Sequence, residues 1–249
     1  MSETFKSQIK DLVDDLKAVF THVGLGGEAA EYKLLTQSFL YKFLNDKFLY
    51  QAKAIDASNS YEKLIDMSEE DYSWLLKFIG TSTAWLKPDQ LIETLHRQQN
   101  EATFYETFEN TLNQIAIDNN DIFSVHTDGD TAIRLFDERL ITDNISDGSK
   151  RNEVAKAIIN LLARVKFDET IFSQGFDFFS TLFEYMIKDY NKDGGGKYAE
   201  YYTPHSVAKI IADILVGNNQ PSNVRIYDPS AGSGTLLMNL ASRIGVDKT

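Results

Sequence analysis

From residue 5 to residue 164, apolar side chains return every three or four positions, segment after segment. That periodicity commits this part of the chain to helices packed on helices. Phe5, Ile9, Leu12, Val13, Leu16 and Phe20 mark the first helix, and Gly24, Gly26 and Gly27 supply its stop. Leu34, Leu35, Phe39, Phe43, Leu44 and Phe48 mark a second, long and strongly apolar one. Ser68, followed by Glu69, Glu70 and Asp71, offers a cap and an acidic first turn for a helix carrying Trp74, Leu75, Phe78 and Ile79. Pro88-Asp89 opens another helix, a further one runs over about 102–116, and the last covers 153–164. Residues 118–148, rich in Asp, Asn and Gly, read as loops around a short helix near 133–140, and no convincing strand precedes residue 220. These apolar and aromatic stripes are core packing.

Composition narrows the function classes. An apolar content of 43% is ample for a core and excludes intrinsic disorder. The absence of Cys excludes a disulfide framework and a thiolate metal site. His22, His96, His126 and His205 lack the i, i+4 spacing of a metal pair, and 118–130 lacks the alternating acids of a calcium loop. With no apolar run of about 18 residues and no secretory start, a soluble cytoplasmic protein without a membrane partner is expected. The formal net charge is -12, and residues 1–165 hold -10 of it. Phosphate contacts need clustered Lys and Arg, so this chain alone is not a general nucleic-acid binder. Texture and charge shift together, giving a helical domain over 1–165 and a different one over 166–249.

The second part carries the chemistry. Phe178, Phe179, Leu182, Phe183 and Met186 form one more amphipathic helix, followed by a glycine linker at 193–197. That linker is no phosphate cradle, because Asn191 stands where the first Gly belongs and Tyr198 follows Lys197. Thr203 is positioned to cap a helix with Pro204 at its first position, and Val207, Ile210, Ile211, Ile214 and Leu215 line one face of it. Glu200, Tyr201 and Tyr202, just ahead, read equally as packing residues or as ligand contacts. Residues 224–228 (Val-Arg-Ile-Tyr-Asp) are the best strand in the chain, followed by Pro-Ser-Ala-Gly-Ser-Gly-Thr and a helical run through Leu236, Leu237, Leu240 and Ile244. Strand, glycine turn and helix make the first unit of a nucleotide-binding sheet. Gly232 and Gly234 let backbone approach a ligand, and the helix start beyond them offers N–H groups to an anion. Leu237 replaces the third glycine of a dinucleotide fingerprint, and Ala231 and Thr235 replace the glycines of a hydrolase elbow around Ser233. A Ser233–His205–Asp228 triad rests on composition alone.

Residues 228–237, Asp-Pro-Ser-Ala-Gly-Ser-Gly-Thr-Leu-Leu, resemble the S-adenosylmethionine motif of amino-methyltransferases acting on DNA. Residues 200–205 resemble the Tyr-Thr-Pro segment that precedes it when the cofactor-pocket helix comes first in the chain. Together the two look like the modification subunit of a type I restriction–modification enzyme. The segment from Glu31, Tyr32 and Lys33 to Phe48 is similar to the long second helix of that family's N-terminal domain, and Phe178 to Ile187 to the helix leading into the catalytic domain. The resemblance implies a mainly α chain, with a helical domain and the start of an α/β Rossmann-like methyltransferase domain. It implies adenine N6 methylation of DNA with S-adenosyl-L-methionine, in company with a specificity subunit and a restriction subunit. By position, Glu200, Tyr201, Tyr202, Thr203, Pro204 and His205, with Gly232, Ser233, Gly234 and Thr235, line the cofactor pocket, and Asp228 shapes the loop beneath it. His205 stands where the family often has Arg, and Thr235 where it often has Gly.

One part of the chemistry is missing from these residues. Holding a flipped adenine amine takes Asn or Asp followed by Pro-Pro and an aromatic side chain. Asp228-Pro229 continues with Ser230 and Ala231, and Asn219-Gln220-Pro221-Ser222 also departs from the pattern. Twenty residues follow Pro229, fewer than the roughly 30 of one βαβ unit. The expectation is an N-terminal fragment of a longer methyltransferase, with no catalytic residue of its own and no methyl transfer. Methylation of protein or RNA, or a non-enzymatic helical interaction module docking a basic partner, are the alternatives that the residues leave open.

Overall fold

The computed structural model describes residues 3–81, 83–123, 125–126, 132–167, 172, 203–218, 223–231 and 234–245. The chain divides into two compact units, Met1–Phe172 and Ser173–Thr249.

In the first unit the periodic segments become helices: α1 (Glu3–His22), α2 (Ala29–Ile55), α3 (Tyr61–Ile65), α4 (Glu69–Ile79), α5 (Ile92–Gln98), α6 (Phe104–Asp118), α7 (Asn120–Phe123), α8 (Leu140–Asn144) and α9 (Arg151–Arg164). The glycines after α1 act as read: Gly24 and Gly27 take φ of +88° and +77°, values that turn the chain into α2 at little cost only for glycine. Ser68 caps α4 by accepting a hydrogen bond from Asp71 N at 3.1 Å. Helix α9 is the hub. Its Val154, Ala155, Ile158, Ile159, Leu161 and Leu162 are all buried, a broad apolar arc that packs against α1, α5, α6 and α8. Helix α2 buries polar groups as well as Phe39 and Phe48, among them Lys42 and Asn45.

Two expectations for this unit need correction. Pro88 opens only a 3-10 turn (Pro88–Gln90), and α5 begins at Ile92. Leu91 between them is extended, and Ile92 N donates to Asn45 Oδ1 of α2 at 3.0 Å, a cap from outside the local sequence. The loop read around a helix near 133–140 instead holds a minimal antiparallel pair, Val125–His126 with Ala132–Ile133, and α8 starts only at Leu140. So a strand pair does precede residue 220; at two residues per strand it is too short for alternation to reveal. Helix α8 is fixed by a distant carboxylate, since Thr142 donates its N–H and its hydroxyl to Glu109 of α6 at 2.6 and 2.9 Å.

In the second unit the described elements are α10 (His205–Val216) and α11 (Thr235–Ile244). The start of α10 lies one residue later than expected. Pro204, with ψ of 133°, is itself the non-helical cap residue, Thr203 precedes it, and no side chain caps the end. Residues 224–228 carry no strand pairing among the described residues, where a strand was expected. A strand exists only through hydrogen bonds to a neighbour, and residue pattern cannot supply the neighbour. The helix of Phe178 and Met186 and the glycine linker lie outside the described residues.

Candidate cofactor site

The two described helices of the second unit lie side by side, and their relative direction follows from one arginine. Arg243, in the last turn of α11, donates Nε to Asp213 Oδ1 at 2.7 Å and a terminal nitrogen to Gly217 O at 3.0 Å, both at the C-terminal end of α10. With the C-terminal ends tied together, the packed helices run parallel. Their N-termini therefore share the other end, bringing Thr203 and Pro204 to the same end of the pair as Gly234 and Thr235. The described parts of the two motifs, separate in sequence, thus lie at one end of the helix pair.

Each described motif residue has a definite local role. Gly234 takes φ of +75° and is the cap residue of α11. Thr235 opens the helix and is buried. The turn before it is closed by Gly234 N donating to Ala231 O at 2.7 Å. Asp228 accepts from Ser230 N through Oδ1 at 2.8 Å, which folds the chain into a tight Asx turn after the extended stretch. Its other oxygen, Oδ2, is sealed from solvent and accepts no hydrogen bond among the described residues. A buried carboxylate oxygen in that state has unused acceptor capacity for a donor. Thr203 is half-buried, Pro204 is exposed, and His205 opens α10. Glu200, Tyr201, Tyr202, Gly232 and Ser233 lie outside the described residues.

An alanine at position 234 would meet no atom within 4 Å, so the obstacle to it is the backbone angle and not space. Left-handed geometry costs a non-glycine residue about 1–2 kcal/mol. Gly234→Ala is therefore expected to lower the stability of the α11 start by about that much, read as faster amide exchange at 235–238 with the first unit unchanged.

Helix α10 also shows what its sequence face is doing. Ala208, Ala212 and Val216 are buried, while Val207, Ile210, Ile211, Ile214 and Leu215 are exposed, Ile214 at 74%. Five large aliphatic side chains facing water along one helix form a face built for burial.

A cavity of about 590 Å³ in the first unit is bordered by Lys42, Asp46, Tyr50, Lys53, Tyr61 and Phe172 among others. Its polar floor is internally matched: Lys42 Nζ lies 2.9 Å from Asp46 Oδ2, and Asp46 also accepts from Phe167 N at 3.0 Å. Burial pushes the Lys42 amine below its ordinary value, against the upward pull of Asp46. None of the described motif residues borders it.

Residues 174–249, which fall within the second unit, match the N-6 DNA Methylase family. The chain is 25% identical over 255 aligned positions to the Type I restriction enzyme MpnII methylase subunit of Mycoplasma pneumoniae, covering 98% of this chain and 45% of that protein. It shares its fold with the crystal structure of the type I restriction-modification system methyltransferase subunit from Streptococcus thermophilus. That similarity has a TM-score of 0.63 at 22% identity and covers 98% of this chain and 50% of that one. The chain is thus similar to these two methylase subunits, and it spans about half the length of each.

Proposed function

We propose that this chain serves in a type I restriction–modification methyltransferase that methylates adenine N6 in DNA. On this reading it carries the helical domain and the first part of the cofactor site. Supporting it most directly is the family match over 174–249, combined with the parallel helices that bring 203–204 and 234–235 to one end. S-adenosylmethionine supplies a methyl group activated on a sulfonium, so no metal is needed. The residues that would hold it are Glu200, Tyr201, Tyr202, Thr203, Pro204 and His205 on one side, and Asp228, Gly232, Ser233, Gly234 and Thr235 on the other. The first N–H groups of α11, with no intrahelical acceptor, suit the methionine carboxylate. Asp228 Oδ2 suits a hydroxyl or ammonium donor, while Oδ1 holds the turn.

The same reading assigns 224–228 to the first strand of a Rossmann-like sheet. Helices on either side of such a strand run parallel to each other in α/β folds, as α10 and α11 do, and the exposed aliphatic face of α10 is what a sheet covers. It also assigns 1–165 and 166–249 to separate domains. Partners are DNA, a specificity subunit that reads the target sequence, and a restriction subunit. The acceptor motif for the adenine amine is not among these 249 residues, so the chain by itself is assigned cofactor binding without transfer.

Calorimetric titration of the chain with S-adenosylmethionine tests the reading. Binding that is weakened at least tenfold by Asp228→Ala is the expected result. Tritium transfer from labelled cofactor to adenine-containing duplex DNA is expected to be absent for this chain alone. Methylation of DNA by it would overturn the assignment of the acceptor, and failure to bind the cofactor would overturn the site.

A further inference from the structure

Parallel helices set side by side place like ends together, with two partly negative C-termini at one end and two partly positive N-termini at the other. Each juxtaposition is unfavourable unless a charge of opposite sign sits between. At the C-terminal end that charge is present. Arg243 stands in the last turn of α11 and reaches across to Asp213 and to the Gly217 carbonyl, the residue that ends α10. Gly217 takes φ of +54° and turns the chain away there, which leaves its carbonyl open to the guanidinium. One cation thus serves two helix ends and one carboxylate. At the N-terminal end no acidic side chain occupies the first turn of either helix.

We propose that Arg243 is a positioning residue for the cofactor site. By clamping the C-terminal ends of α10 and α11, it holds the two N-termini at the separation at which one anionic group is shared between them. The proposal rests on the assignment of S-adenosylmethionine to that end. The anion in question is the cofactor's carboxylate, and Arg243 acts on it from the far end of the helix pair without touching it. The alternative, that Arg243 is an ordinary surface ion-pair member, predicts no effect at the other end, since exposed pairs contribute little.

Two measurements decide it, both on the whole chain. The first is calorimetric titration with S-adenosylmethionine. Arg243→Ala is expected to weaken binding on the order of fivefold. Arg243→Lys, which keeps a charge but loses the two-pronged hold, is expected to fall between. The exchanged pair Asp213→Arg with Arg243→Asp restores the ion pair but not the donor to the Gly217 carbonyl, so it is expected to recover only part of the loss. The second is pulsed electron–electron resonance between spin labels on Ser206→Cys and Met238→Cys, both exposed positions in a chain with no native cysteine. A narrow distance distribution is expected in the parent and a broadened one in Arg243→Ala, with helical circular dichroism unchanged. Equal affinity in parent and Arg243→Ala overturns the proposal, as does an unbroadened distribution. If the parent itself binds no cofactor the site assignment falls, while the label distances still decide whether Arg243 sets the separation.

Discussion

Replacing Asp46 with alanine is expected to lower the unfolding free energy of the helical unit by about 3–5 kcal/mol. Asp46 is tied three ways: Oδ2 faces Lys42 Nζ at 2.9 Å and accepts from Phe167 N at 3.0 Å, and Oδ1 accepts from Asn45 Nδ2 at 2.8 Å. The side chains of Lys42 and Asp46 are only 4% and 10% exposed. Lys42 Nζ also lies over the Phe167 ring, 5.4 Å from its centroid, and the Lys166 charge lowers its amine further. Removing Asp46 leaves an ammonium stranded in low dielectric and a backbone N–H without its acceptor, and both penalties fall on one site. Urea titration should show a lower midpoint at unchanged slope, the signature of lost stability without a changed unfolded state. The companion variant Lys42→Met with Asp46→Leu removes both charges together and should recover much of the loss. A loss below about 1 kcal/mol for Asp46→Ala would mean that water reaches Lys42, and the buried-pair account would fail.

The sequence exposes repetition and hides long-range ties. Helices α1, α2, α4, α6 and α9 were legible because an apolar stripe repeats over many residues, with Ser68 and the Gly24–Gly27 region as local punctuation. What stayed hidden was set by partners far away in the chain. The delayed start of α5 depends on Asn45, 47 positions earlier, and the placement of α8 on Glu109, 33 positions earlier. The pair at 125–126 and 132–133 is shorter than any period that alternation can show. In the second unit the motif residues announced themselves through glycines in fixed order, because only glycine suits the backbone angle at 234. Arg243 announced nothing. Its partners are a carboxylate 30 positions away and a main-chain carbonyl, and an arginine in a last helical turn is ordinary. The glycine that the backbone angle at 234 requires was thus readable, and the arginine that ties the two helix ends together was not. The charge is consistent with the same division. The acidic excess lies in residues 1–165, and the DNA contacts proposed for the assembly need not lie on this chain.

Alkaline unfolding of the helical unit is expected to begin near pH 10 and to be unusually steep. Tyr41 of α2 and Tyr72 of α4 are both buried and donate their hydroxyls to main-chain carbonyls of one short segment, Tyr41 to Gln90 O at 2.6 Å and Tyr72 to Leu86 O. Burial first, and then the nearby Asp89 carboxylate, hold both phenols above their ordinary value. In the unfolded chain each phenol ionises near pH 10, whereas in the folded chain neither does. Protons are then bound more by the folded state, so stability falls as pH rises; the contribution is complete below pH 10 and is lost above it. Each tyrosine takes away about 1.4 kcal/mol per pH unit, roughly 2.7 for the two together, until its folded-state value is reached. Lys42 and Lys47 work in the opposite direction, since burial lowers both amines and their ionisation penalty fades as pH approaches about 10.5. The net decline should therefore be shallow just above pH 10 and reach its full slope beyond 10.5. Tyr41→Phe and Tyr72→Phe should each halve that slope, at a cost of about 1 kcal/mol at neutral pH for the lost hydrogen bond. Urea midpoints measured across pH 8 to 11.5 give the slopes directly, with tyrosinate absorbance tracking ionisation. If both phenylalanine variants keep the parent slope, the steepness arises elsewhere, and the pinning of residues 86–90 by buried neutral phenols is wrong.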